Sequence, residues 1–338
     1  MKSLPIILSF LLSAIVLPAN GNPVKEYMTG TYVLKFVDQL PMRAANIIMI
    51  VSTRHFKPEK GYELKKGLDP QYQRFYFIAG TLGDTAYVEP MKGMDGTNRR
   101  LPANRDFLVY VDGHGKTFQQ VLERGFHVSE RFAVNMVVFD WPTDNMALKK
   151  TAYAASEVAP NFVIAMKELS KFQLEQYPSS SVSAMFHSMG NQVLRNVAKT
   201  SLLSHMPKEL FSNLILNAAA VNQYQHRKWL EKLNIQERIY VTINDDDFTL
   251  HGAMILRAAK QLGLGYRGNI AINANYVNFS DVATREHNLF LGKSATEKNN
   301  PYIYLFFEQA FHGREVSFVE STGFQIFRPS ESDLFSSR

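Results

Sequence analysis

From residue 106 onward the chain alternates short, apolar, β-branched runs with stretches of helical periodicity, and few architectures accommodate that alternation. FLVYV at 107–111, MVVFD at 136–140 and VSAMF at 182–186 read as buried strands. NLILNAA at 213–219, RIYVTIN at 238–244 and NIAINANYVNF at 269–279 continue the series. Between them the pattern predicts a helix over 117–132, a long amphipathic helix over 151–176, and a third over 189–203, with a last one near 301–312. In the long helix Tyr153, Val158, Phe162, Ala165, Met166, Leu169 and Phe172 recur at helical spacing, and Pro178 ends it. Strands alternating with helices imply crossover units, hence a mostly parallel sheet with helices on both faces. Residues 23–104 are rich in strands and turns instead: IIMIVST at 47–53, RFYFIAG at 74–80 and TAYVEP at 85–90 precede a polar, glycine-containing loop at 91–104.

In such sheets ligands bind at the carboxyl ends of the strands, so the residues just after each strand are where chemistry is expected. Asp112, Gly113, His114 and Gly115 follow the strand at 107–111, and His187, Ser188, Met189 and Gly190 follow the one at 182–186. Asp245, Asp246 and Asp247 follow 238–244, and the loop SDVATREHN, with His287, follows 269–279. A serine, an acid and a histidine thus fall at one sheet edge in the order Ser, Asp, His, which is the chain order of the α/β-hydrolase triad. FHSMG at 186–190 reads as a sharp strand-to-helix turn that lifts Ser188 clear of the sheet and aims a helix N-terminus at the reaction centre. The usual pattern is G-x-S-x-G; Gly190 is in place, and Phe186 stands where the first small residue belongs. The alternative reading of Ser188 is a helix N-cap. By residue type alone any of the three aspartates can be the acid. DGHG at 112–115 suits an oxyanion hole built from the His114 and Met189 N–H groups.

Composition closes off other classes. There is no cysteine, which removes disulfides, thiolate nucleophiles and thiolate-bound zinc. The net charge of +6 is scattered rather than clustered, so no nucleic-acid partner is expected. No metal constellation, Walker loop or dinucleotide fingerprint stands out, and no cofactor is expected. GLGYRG at 263–268 reads as a helix stop and turn. At the N-terminus, Lys2 precedes an apolar run from Leu4 to Leu17, shorter than the roughly 20 residues of a membrane span, followed by Ala19-Asn20-Gly21. That is the pattern of a secretory signal peptide cleaved after Gly21, giving an exported, periplasmic or secreted protein without a stable membrane span. The chain therefore divides into a signal peptide (1–21), a strand-rich N-terminal part of the hydrolase domain (22–104), an α/β core (105–315) and a C-terminal tail (316–338).

The residues also resemble a largely uncharacterised bacterial α/β-hydrolase family with an H-S-M-G-N elbow. IIMIVSTRHFKP at 47–58 is similar to its opening strand with a T-N-R signal, VYVDGHGKTF at 109–118 to its V-H-G-F-N-x-S-F segment, and VVFDWPT at 137–143 to its F-S-W-P-S strand end. FHSMGNQVL at 186–194 matches the elbow, and RIYVTINDDDF at 238–248 a strand ending in S-N-D, which aligns Asn244 and Asp245. The resemblance implies an α/β-hydrolase fold and a Ser188–Asp245–His287 triad. Two departures are Asp112, in place of a histidine before the oxyanion glycine, and Phe186. The reading is a serine hydrolase acting on a small-molecule or lipid-like acyl substrate through an ester or related bond. The alternative is a binding or structural protein on an inactive hydrolase scaffold, which those two departures favour.

Overall fold

FLVYV becomes a strand, Phe107–Val111, that is buried at every position because it is covered on both faces. Phe107, Val109 and Val111 point into one apolar cluster, Leu108 and Tyr110 into another, as the two-residue repeat of a strand requires. The computed structural model describes residues 31–57, 63–69, 71, 73–97, 100–144, 146–266, 270–291, 301–317 and 325–327, so the predicted signal segment lies outside the described residues.

In chain order the strands are β1 (Val33–Phe36), β2 (Ala45–Ser52), β3 (Arg54–Lys57), β4 (Glu63–Leu68), β5 (Phe75–Leu82), β6 (Thr85–Met91), β7 (Phe107–Val111), β8 (Asn135–Asp140), β9 (Val182–His187), β10 (Phe211–Asn217), β11 (Gln236–Ile243), β12 (Asn275–Asn278) and β13 (Gln325–Phe327). The helices are α1 (Phe118–Phe132), α2 (Leu148–Gln176), α3 (Asn191–Lys199), α4 (Arg227–Leu230), α5 (Phe248–Arg257) and α6 (Pro301–Phe311). Among the described residues eleven strands form one sheet in the order β1-β6-β5-β2-β8-β7-β9-β10-β11-β12-β13. Every neighbouring pair from β2 to β12 is parallel. β5 pairs antiparallel with β2 and β6, and β13 pairs antiparallel with β12. α2, α3 and α4 cover one face, packing Phe162, Val193 and Trp229 against β7, β9 and β10. α1 and α6 cover the other with Val121, Phe126, Phe306 and Phe307. This is the α/β-hydrolase fold that the alternating pattern and the resemblance lead to.

The strand order reverses between β7 and β9: the chain steps from β7 outward to β8, then crosses back over β7 to β9. Loops leaving β7 and β9 therefore diverge and open a crevice at the strand carboxyl ends, the usual ligand site of an open α/β sheet. Those two loops are 112–116 and the turn at 188–190.

Two predicted elements differ, and four of the described strands were not predicted. Of the strand expected over 269–279 only Asn275–Asn278 is paired. Before it the chain turns, with Ala274 N–H donating to Ala271 O at 3.3 Å and Ala271 N–H to the Tyr276 hydroxyl at 2.9 Å. The helix expected over 189–203 is interrupted: a 3₁₀ turn at Ser188–Gly190 precedes α3, and Thr200, whose hydroxyl accepts from Leu202 N–H, starts another at Ser201–His205. β1, the β3–β4 ribbon and β13 have no counterpart in the predicted pattern.

Candidate functional site

β9 ends at His187 in extended conformation, and the next residue turns sharply: Ser188 has φ +52°. For a residue with a side chain the left-handed region costs on the order of 1 kcal/mol or more, so the surroundings must impose it. A Cβ on Gly190 would stand 2.4 Å from the Val111 carbonyl oxygen and 2.8 Å from that of Asp112, so only glycine lets the turn lie so close to β7. The Asn191 amide donates to Phe186 O at 2.8 Å and Ser188 O at 3.0 Å, and Ala220 N–H donates to Ser188 O at 3.1 Å. Ser188 is not a helix cap: His187 precedes the 3₁₀ turn and Gly190 precedes α3, and neither position carries a side-chain cap bond. Its side chain is 7% exposed, and among the described residues its hydroxyl has no hydrogen-bond partner.

The loop after β7 faces this serine. A Cβ on Gly113 would lie 2.7 Å from Ser188 Cβ and 3.2 Å from its Oγ, so the backbone there touches the serine directly. Buried Asp112 receives the Arg124 guanidinium of α1 at 2.9 and 3.1 Å, and its Oδ1 also accepts Gly113 N–H at 2.6 Å. Trp141 Nε1 donates to Asp112 O at 3.0 Å, Gly115 N–H to Thr143 O at 3.2 Å, and Lys116 N–H to Thr143 Oγ1 at 3.0 Å. The N–H groups of Gly113, Gly115 and Lys116 are thus committed. Those of His114 and Met189 take no part in the turn and loop hydrogen bonds of the described residues. The His114 ring is turned away, its Nδ1 2.8 Å from Thr151 Oγ1 on α2.

The third component comes from the loops after β11 and β12. Asp247 is fully buried; its Oδ1 caps α5 by accepting Leu250 N–H at 2.9 Å, and its Oδ2 lies 2.6 Å from His287 Nδ1. Asn244 ties both loops together, its amide donating to Thr284 O at 2.8 Å and Glu286 O at 2.9 Å. The His287 ring centroid lies 4.6 Å from that of His187, the residue before Ser188.

A protein family described as alpha/beta hydrolase of unknown function (DUF900) matches residues 96–304, more than half of the chain. The chain belongs to this family. No curated protein matches it. The matched span of this α/β hydrolase holds all three components: the serine turn, the glycine loop and the aspartate–histidine pair.

Against the expected residues, the structure brings Ser188, His287, His114 and Met189 to the same strand ends, but it does not bring Asp245 to His287. Asp245 is not the partner of His287; Asp247 is. β11 ends at Ile243, and Asp247 N–H donates to Asn244 O at 3.2 Å, so the chain swings outward through Asp245 and Asp246 and back inward at the α5 cap. Exposed Asp245 donates its N–H to Ser280 Oγ at 3.0 Å and, with His251 and Asn278, lines a separate cavity of about 550 Å³. Phe186 is accommodated: fully buried, it meets Phe162 of α2 edge-on at 5.4 Å, on the helix-covered face of the sheet. Asp112, the other departure from the family pattern, comes with its own counter-charge in Arg124. Sequence reasoning gave no role to Arg124, Trp141, Thr143 or Arg54, although the last three stand in the family-like segments at 47–58 and 137–143.

Burial, with the charges of His287, Arg124 and Lys116 nearby, holds the His187 imidazole well below its ordinary range. Its tautomer is set by a relay: Thr242 Oγ1 takes Ala218 N–H and donates to Asn217 Oδ1, whose amide donates to His187 Nδ1 at 2.9 Å. Burial and the Arg124 charge push the Lys116 ammonium down to about 8. Burial and Lys116 likewise lower the His114 imidazole. Among the described residues no group of three or more His, Asp or Glu is arranged to hold a metal ion, and no helix is long and apolar enough to cross a membrane.

Proposed function

We propose that this protein is a serine hydrolase of ester or related acyl bonds, with Ser188 as nucleophile, His287 as general base and acid, and Asp247 as the orienting carboxylate. The observation that carries the reading is the 2.6 Å contact of buried Asp247 with His287 Nδ1, on a ring packed beside the residue that precedes Ser188. With Asp247 accepting the Nδ1 proton, Nε2 is the ring nitrogen left to take the proton of Ser188 Oγ. Ser188 Oγ then bonds the acyl carbon, and the carbonyl oxygen becomes an oxyanion held by the His114 and Met189 N–H groups. Collapse expels the leaving group, which takes the proton from His287; a water molecule, deprotonated by the same imidazole, then releases the acid and restores Ser188. The φ of +52° at Ser188 supports the role, since strained backbone of this kind collects at functional sites.

A fluorophosphonate probe tests it. Wild type is expected to label at one serine, and Ser188→Ala to lose both labelling and hydrolysis of p-nitrophenyl acetate while melting close to wild type. A folded wild type that never labels, or a labelled Ser188→Ala, ends the proposal.

A further inference from the structure

We infer that Thr143, in the loop after β8, is the residue that aims the His114 N–H at the oxyanion, and so acts as a positioning residue for the reaction proposed above, on which this inference rests. Thr143 is 1% exposed, and its hydroxyl has one proton to give. The nearer acceptor is Gly113 O at 3.2 Å; Lys116 O lies at 3.5 Å. Gly113 C=O and His114 N–H are the two ends of a single peptide group, planar and trans, so they point in opposite directions. A hydrogen bond that fixes the carbonyl end fixes the direction of the N–H end. Gly113, at the carbonyl end of that peptide, is the residue whose backbone touches Ser188.

Thr143 holds the following turn as well. Its hydroxyl accepts Lys116 N–H at 3.0 Å and its carbonyl accepts Gly115 N–H at 3.2 Å. One residue therefore restrains the loop on both sides of His114 and, by occupying the two downstream donors, leaves the His114 N–H as the one uncommitted. Trp141 provides an internal contrast. Its indole bonds Asp112 O, which belongs to the preceding peptide, and leaves the His114 peptide untouched.

The test compares wild type, Thr143→Val, Thr143→Ser and Trp141→Phe in p-nitrophenyl acetate hydrolysis, fluorophosphonate labelling and thermal melting. Thr143→Val keeps the volume and removes the hydroxyl; kcat is expected to fall about 10- to 100-fold with KM near wild type, because an oxyanion donor out of place acts only on the transition state. Thr143→Ser is expected to recover kcat to within about threefold of wild type, and Trp141→Phe to lose less than Thr143→Val. Thr143→Ala, with less bulk beside the two carbonyls, replaces Thr143→Val if that variant does not fold. A folded variant without the hydroxyl that keeps kcat within about twofold overturns the inference while wild-type labelling leaves the serine-hydrolase reading standing. Equal losses in Thr143→Val and Trp141→Phe also overturn it, since general loosening of the loop then suffices. A wild type that does not label at all ends both.

Discussion

Asp247 does two jobs with two oxygens, and they respond differently to substitution. Oδ1 caps α5 and Oδ2 holds the His287 ring. Asparagine is as good a cap as aspartate, so in Asp247→Asn the amide oxygen keeps Leu250 N–H and the NH₂ group faces His287 Nδ1. That forces the proton onto Nε2, the nitrogen that must accept from Ser188. Turnover is expected to fall about 10⁴-fold with a melting temperature near wild type, whereas Asp245→Asn, at an exposed position, stays close to wild type. Measured kcat values for the two variants decide between the carboxylates. His187 supplies a pH effect on stability rather than on chemistry. Above pH 6.5 the imidazole is neutral in the folded and unfolded chain alike, and nothing is lost. As pH falls through 6.5 the unfolded chain takes up a proton that buried His187 refuses, so the unfolded state gains and stability declines. Urea denaturation at pH 7 and pH 5.5 is expected to show wild type losing about 1 kcal/mol more than His187→Gln over that interval. Parallel losses in the two proteins would assign the decline to other groups.

At the scale of elements, legibility followed burial. β7, β8, β9 and the later parts of β10 and β11 are covered on both faces, so each carries a mainly apolar run that reads as a strand on its own. β1, with burial alternating between exposed and intermediate, and β4, ELKKGL with two lysines and a glycine, lie at an edge or in a two-stranded ribbon; backbone pairing rather than composition makes them strands. The site was legible to the same degree. Ser188 and His287 announce themselves by following strands, and the glycines at 113 and 190 by the turns they permit. The choice among Asp245, Asp246 and Asp247 was not legible, because three identical side chains differ only in which way a turn points them. Here the deciding feature is the α5 N-cap. A capping aspartate must turn its carboxylate onto the first turn of the helix, and in that position its second oxygen meets His287. Asp245 came from alignment to the family pattern; the N-cap position of Asp247 is the signal that separates the three. Thr143 and Trp141 were within a quoted strand end, but their partners are backbone carbonyls and N–H groups, which carry no sequence signature.

At the scale of the whole molecule, one buried cation ties the end of β2 to the loops at the carboxyl ends of the parallel strands, beyond the β2–β8 pairing. Arg54 sits just past β2 and is 2% exposed. Its guanidinium bonds Asp140 at 3.0 and 3.1 Å, Asp144 at 2.5 Å, Lys116 O at 2.8 Å and Trp141 O at 3.3 Å, while Ser52 Oγ donates to Asp140 at 2.6 Å. The end of β2, the glycine loop and the loop that carries Thr143 are thus fastened to a single planar fork of donors. Burial opposes the charge on Arg54, but the two carboxylates outweigh it and hold the guanidinium above its ordinary range. Removing the cation leaves two buried carboxylates, Asp140 at 1% and Asp144 at 6% exposure, without a counter-charge, which is costlier than losing a surface pair. Arg54→Met is therefore expected to lose about 3–5 kcal/mol in urea denaturation. Arg54→Lys should recover only part of that, since an ammonium is a point charge and cannot span two carboxylates and two carbonyls. Because the fork also holds Lys116 O and Trp141 O, Arg54→Lys should lower kcat as well, in the direction of Thr143→Val. A lysine variant with wild-type kcat and reduced stability would confine Arg54 to holding the N-terminal strands, with Thr143, Trp141 and the Arg124–Asp112 pair sufficing to keep the glycine loop in place.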